Sequence, residues 1–205
     1  MPSDPIADKP CYRSSSPWGV PDLPYAPLSA IPEWLVPYRT RMRNKPTAGG
    51  AVHFFLFDAI FESVWNAPRK AARYLDKFDV LLAPDFSLHA EMPPALQVYN
   101  VYRSRWCAAH WTANGHTVIP TVGWSTPDSY AFCFDGIASH SAVALTTLGT
   151  RRRKQDFLHG FDALVERVTP SAVLCYGEPF PEMDRADVRV YPNRWQRMEA
   201  ERDGR

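Results

Sequence analysis

Cysteine is scarce in this chain, and what there is excludes much. The four thiols, at positions 11, 107, 133 and 175, stand far apart, so no C-x-x-C pair and no zinc-type spacing exists. Cys107 and Cys175 lie in apolar segments and are expected to behave as small buried hydrophobes. So few, irregularly spaced thiols suit a reducing compartment. Long apolar runs are missing as well: none approaches the ~18 residues of a membrane span, and the N-terminus lacks the charged-then-apolar order of a secretory signal. The expectation is a soluble, cytoplasmic protein with no membrane partner. An excess of one charge is also absent. Lys plus Arg is 23 and Asp plus Glu is 22, which leaves no general electrostatic argument for nucleic acid. The six histidines form no HExxH or HxH group. There is no P-loop, no GxGxxG after a strand and no GxSxG elbow.

Proline, by contrast, is abundant, and ten of the 20 prolines fall within residues 1–46. Proline removes amide donors and favours extended backbone, so this leader should lack long helices and central strands. Trp18, Tyr25, Ile31, Trp34, Leu35, Val36 and Tyr38 are nevertheless too apolar for a free tail. An extended arm wrapped over the domain is expected, followed by an α/β domain over residues 47–192 and a charged, mobile tail over 193–205.

From Ala51 apolar runs alternate with helical spacing. AVHFFLFD (51–58), DVLLAPD (79–85), TVIPTV (117–122), AVALTTL (142–148), AVLCY (172–176) and DVRVY (187–191) read as strands. Helices are predicted over 68–78, from Pro93 or Pro94 to Asn114-Gly115, and over 154–168. Such alternation means an α/β fold with a mostly parallel sheet of five or six strands and flanking helices. It is either an open three-layer sheet or an incomplete, TIM-like β/α barrel, since a full barrel typically needs ~250 residues.

Parallel β/α folds bind ligands beyond the carboxyl ends of their strands. That rule selects Asp58, Asp85 with Ser87, Trp124, and Thr150 at the ends of apolar runs. Two carboxylates at neighbouring strand ends suit a hard cation such as magnesium. They suit equally a general acid and base, because like charges in one cleft push their pKa values apart. His89 follows Asp85 and is a further acid–base candidate. On the helix after it, Gln97, Asn100 and Ser104 share one face. Arg103 and Arg105 point roughly 200° apart, so one is expected inside and the other in solvent. Arg103 could hold a carboxylate or phosphate, and Asn100 a loop carbonyl or a ligand. Trp124 could stack a flat ligand. Arg151, Arg152, Arg153 and Lys154 form the one basic cluster, suited to phosphate at the mouth of the cleft. The plainer reading makes each of these residues structural, as a cap, a packed side chain or part of a solvated loop.

The segments FDAIFESVWNAP, LLAPDFSLHAEMPPALQVYNVYRSRW, VIPTVGW and VLCYGEP resemble a family of bacterial, phage and plasmid proteins catalogued as a domain of unknown function. PDFS and YNVYRSRW are the most distinctive parts, and the likeness covers roughly residues 31–178. The resemblance implies a phage or mobile-element setting and brings no catalytic residues with it. Three functions stay open on the residues alone. The first is an enzyme acting on a nucleotide or nucleic acid through Asp85 and Asp58. The second is a non-catalytic module binding nucleic acid or protein. The third is a sugar-acting hydrolase using the aspartate pair.

Overall fold

The computed structural model describes residues 9–38, 48–193 and 195–196. Seven short strands, all parallel to their neighbours, follow one another in chain order. The first sheet holds β1 (Trp34–Pro37), β2 (Gly50–His53), β3 (Val80–Leu82) and β4 (Thr117–Ile119). The second holds β5 (Val143–Thr146), β6 (Val173–Tyr176) and β7 (Val188–Tyr191). A single parallel bridge between Thr121 and Ala144 joins them. Its bonds run from the Val122 amide to the Ala144 carbonyl and from the Ala144 amide to the Pro120 carbonyl, each 2.8 Å.

Strand side chains alternate between two apolar environments, as parallel strands covered on both faces require. Leu35, Ala51, Leu82, Ile119, Ala144, Leu174 and Tyr191, drawn from all seven strands, meet in one buried cluster. Their neighbours Val36, Val52, Leu81 and Val118 face the helices of the first half. Val143, Leu145, Val173 and Cys175 face the helix of the second. The strands thus curl around a shared inner core without closing. Among the described residues β1 and β7 form no ladder, and the Tyr191 hydroxyl donates to the Pro32 carbonyl across the seam at 2.5 Å.

The helices are α1 (Asp58–Phe61), α2 (Ser63–Asn66), α3 (Pro68–Leu75), α4 (Pro94–Ala113) and α5 (Lys154–Val168). Pro68 and Pro94 open α3 and α4, where a missing amide costs nothing. In α5, Phe157, Phe161, Leu164 and Val168 form the buried stripe, and Asp156 complements the dipole in its first turn. Pro170 prevents continuation. No helix among the described residues is long and apolar enough to cross a membrane.

Three features depart from the sequence reading. Residues 34–37 form a seventh strand inside the proline-rich leader, and it takes the edge position that proline tolerates. The run 51–58 is not strand throughout: β2 stops at His53, and Asp58 opens α1 instead of ending a strand. Finally, Arg103 and Arg105 are both buried, at 8% and 2% exposure. The angle between them holds, but α4 has little solvent-facing side. The leader covers it: the Trp106 indole donates to the Pro10 carbonyl (2.9 Å), and Tyr12 stacks edge-on against Trp106. Residues 1–8 and 39–46 of the leader, and most of the 193–205 tail, lie outside the described residues.

Val20 and Leu23 of the leader are buried, and the Leu23 amide donates to the Gly136 carbonyl at 2.8 Å. Burial of a large apolar side chain contributes roughly 1.5–3 kcal/mol. Removal of residues 1–23 is therefore expected to cost at least ~3 kcal/mol, read as a lower unfolding midpoint or aggregation. A truncated protein that stays monomeric and equally stable would show the leader to be dispensable packing.

Candidate functional site at the strand ends

A cavity of about 200 Å³ opens beyond the carboxyl ends of β3, β4 and β5. Asp85, Ser87 and His89 line it from the loop after β3, Gly123 and Trp124 from the segment after β4, and Thr146 and Thr150 from the end of β5. Asp85 is partly exposed into it. Gly123 leaves that approach open, since a methyl group there would sit 3.7 Å from the Asp85 Oδ1.

The loop after β3 is held by side chains, because it has no ladder of its own. Asp58 accepts from the Ser87 amide at 3.1 Å and from its hydroxyl at 2.8 Å. The Ser87 carbonyl accepts from Asn100 Nδ2 at 2.7 Å. Asn100 Oδ1 accepts from Arg103 at 2.6 Å, and Arg103 pairs with Glu62 at 2.6 Å while lying over the Phe86 ring. Further along α4, Gln97 donates to the Met92 carbonyl at 2.8 Å and accepts from Ser125 at 2.5 Å. Arg105 donates to the carbonyls of Asp135, Thr121 and Cys133 at 2.9–3.1 Å. One helix therefore supplies hydrogen bonds to the loops after both β3 and β4 at this end of the sheet.

Asp58 and Asp85 do come together, in unequal roles. Both oxygens of Asp58 are engaged by Ser87. Among the described residues the Asp85 carboxyl receives no hydrogen bond, and its surroundings push its pKa from the ordinary 3.8 up to about 7. Burial is the main cause, the neighbouring Asp58 adds to it, and the Arg105 guanidinium opposes both. Arg105 is itself lowered to about 10 by burial, and so remains charged at neutral pH.

The other expected residues are distributed as follows. Ser87 and Trp124 line the cavity, whereas Arg103 and Asn100 stand behind the loop and hold it. Trp124 packs on Phe157 with ring centroids 5.1 Å apart. Arg151, Arg152, Arg153 and Lys154 follow the cavity-lining Thr150 directly without lining the cavity themselves, and three of them are engaged. Arg151 pairs with Glu178, Arg153 with Asp156 and Lys154 with Glu182, and among the described residues Arg152 alone of the four makes no ion pair. No group of three or more His, Cys, Asp or Glu side chains able to hold a metal ion occurs among the described residues. Sequence reasoning missed His53, which is fully buried at the end of β2 against Tyr176, ring centroids 4.4 Å apart. It also missed Glu62 as the partner of Arg103. The apolar run around His53 gave no signal; the helical Arg103 did call for some acid.

Parallel strands with an acidic pocket at their carboxyl ends define an α/β protein with its candidate site where such folds place ligands. The chain belongs to the family described as domain of unknown function (DUF4417), whose model matches residues 12–192. It is 42% identical over 193 residues to the Gene 1 protein of Mycobacterium phage L5, covering 91% of this chain and 83% of that one. It is 40% identical to the Gene 1 protein of Mycobacterium phage D29, covering 91% and 71%. No solved structure matches the chain.

Two outcomes follow from this geometry. A Cβ at Gly160 of α5 would overlap the Trp124 indole. Gly160→Ala should therefore destabilise the fold by about 1–3 kcal/mol through overpacking, although alanine is favoured over glycine by ~1 kcal/mol in an exposed helix. An increase in the unfolding midpoint would show that Trp124 moves freely. The second concerns Asp85. Between its ordinary pKa of 3.8 and about 7, the folded protein holds a proton that the unfolded chain has lost, so stability falls as pH rises through that window. Asn cannot ionise. Asp85→Asn should thus gain on the wild type by about 1 kcal/mol or more between pH ~4 and ~8, in chemical unfolding at both pH values. A difference independent of pH would mean that Asp85 titrates like a surface carboxylate.

Proposed function

We propose that the protein is an enzyme working by general acid–base catalysis on a nucleotide-class substrate, with Asp85 as the proton-transferring group. The observation that carries this reading is Asp85 itself: a carboxyl open to a cavity, without a hydrogen-bond donor among the described residues, with its pKa raised to about 7. A catalytic acid or base works best when its pKa lies near the operating pH, and perturbed groups in clefts are the usual candidates. Asp58 is the fixed negative charge beside it. Because both Asp58 oxygens are engaged by Ser87, the division of labour favours acid–base chemistry over a magnesium site shared by the pair.

The cavity's size limits what enters. At about 200 Å³ it is smaller than the ~300–1,000 Å³ of pockets that engulf a drug-sized ligand. It suits one ring of a substrate, against Trp124 and beside the hydroxyls of Thr146 and Thr150, with the remainder extending outward. Arg152, just past Thr150, is the cation available to a phosphate there. With its three neighbours engaged by carboxylates, this face favours a mononucleotide or a chain end over a long polyanion. A sugar-acting hydrolase would use the same carboxyls, but the aromatic wall and Arg152 favour a base-bearing, phosphate-bearing ligand.

Calorimetric titration of the full chain with nucleosides, nucleoside monophosphates and monosaccharides, followed by product analysis, tests the reading. A base-bearing ligand should bind and turn over. Asp85→Asn should remain folded and lose at least about tenfold in binding or rate, equivalent to ~1.4 kcal/mol. Tight binding without turnover would identify a non-catalytic module. Binding confined to monosaccharides, or an Asp85→Asn variant with full activity, would contradict the proposal.

A further inference from the structure

Next to the strand-end cavity, and sharing Asp85 and Gly123 with it, lies a second, smaller space of about 10 Å³. Asp85, Asn100, Ser104, Arg105, Thr121 and Gly123 border it. A polar space of that size has room for one water molecule, and a buried water is stable when it has two to four polar partners. The donor inventory of Arg105 bears on this directly. A guanidinium carries five N–H groups. Four of those in Arg105 are assigned: Nε to the Asp135 carbonyl at 3.1 Å, one terminal nitrogen to Ser104 Oγ at 3.3 Å and to the Thr121 carbonyl at 2.9 Å, and the other to the Cys133 carbonyl at 3.1 Å. One N–H of a side chain only 2% exposed remains unassigned among the described residues. The Asp85 carboxyl bordering the same space likewise receives no hydrogen bond from the described residues.

We propose that this space is a binding site for one ordered water, and that Arg105 is the positioning residue that orients the Asp85 carboxyl through it. The water accepts from the remaining Arg105 N–H and donates to Asp85, so each group gains a partner. The inference rests on the reading of Asp85 as the acid–base group, and it adds what fixes that group. A carboxyl with no protein donor would otherwise swing between the cavity and the smaller space. Tethered on that side, it presents its other oxygen to a ligand across Gly123. The carbonyls of Thr121, Cys133 and Asp135 hold the guanidinium, so the orientation is set by the backbone of the segment after β4. This also explains why so buried an arginine has no direct carboxylate partner among the described residues: its charge acts on Asp85 across one water.

Two measurements test this. The first is a high-resolution crystal structure of the full-length wild type. It should contain an ordered water within ~3.2 Å of both the Asp85 carboxyl and an Arg105 nitrogen. The second is the Asp85 titration midpoint, from carboxyl ¹³C NMR, in the wild type and in Arg105→Lys. Lysine keeps the charge but not the fork, so the midpoint should rise by about 0.5 pH unit or more as the tether is lost. The wild-type structure decides the matter even if Arg105→Lys fails to fold. A near-neutral wild-type midpoint with no water in the space, or one unmoved in a folded Arg105→Lys, overturns this inference and leaves Asp85 as the acid–base group. A wild-type midpoint in the ordinary carboxylate range removes that role, and this inference with it.

Discussion

Buried backbone carbonyls and amides must be paired, and the loops beyond the strand ends have no strands to pair with. In this protein the side chains of α4 meet that requirement. Gln97, Asn100, Arg103 and Arg105 each direct hydrogen bonds to loop or side-chain oxygens on different sides of the helix. A helix that must reach loops on opposite sides cannot present a polar face to solvent. It therefore has to be covered, and the leader's Pro10–Tyr12 segment lies against Trp106 and His110. The enclosure of α4, the position of the leader and the shape of the strand-end loops form one linked arrangement.

That arrangement also accounts for the raised pKa of Asp85. The PDFS loop is pinned on one side through Ser87, by Asp58 and Asn100, and packed on the other through Phe86 against Phe61 and Arg103. With the loop fixed, the Asp85 carboxyl stays at the cavity wall, only partly exposed. Burial then raises its pKa, and Asp58, held where Ser87 needs it, adds to the effect. Stability is given up at one residue in a well-bonded scaffold, which is the pattern expected where binding or catalysis sets the requirement.

Much of this was legible in the sequence. The strand–helix alternation came from apolar runs and helical periodicity, and α5 was readable to its ends because Lys154–Val168 carries a clean stripe closed by Pro170. Asp85, Ser87, Trp124 and Thr150 were found by one rule, that parallel strands bind ligands at their carboxyl ends, and the same cavity contains all four. The failures have physical causes. The strand Trp34–Pro37 was hidden because proline removes the usual strand signal, and at a sheet edge that removal is tolerated. In AVHFFLFD the apolar run outlasts the strand, so the turn into α1 before Asp58 left no mark. Arg103 and Arg105 looked incompatible with joint burial because a regular helix normally keeps one solvent face. Tertiary contacts bury both, Arg103 against Glu62 and Phe86 and Arg105 against the segment after β4, while the leader covers Trp106 and His110, and no local pattern encodes this. The basic run 151–154 promised free charge, whereas Glu178 and Glu182, distant in sequence, neutralise part of it.

The proposed acid–base role turns on one proton, which burial favours on the Asp85 carboxyl up to near-neutral pH beside the strand-end cavity. Infrared difference spectroscopy of the wild type against Asp85→Asn, titrated with acid and base, reads that proton directly. A protonated carboxyl band should be lost in the variant and should disappear in the wild type with a midpoint near 7. A midpoint near the ordinary 3.8 would mean that the fold does not hold the proton.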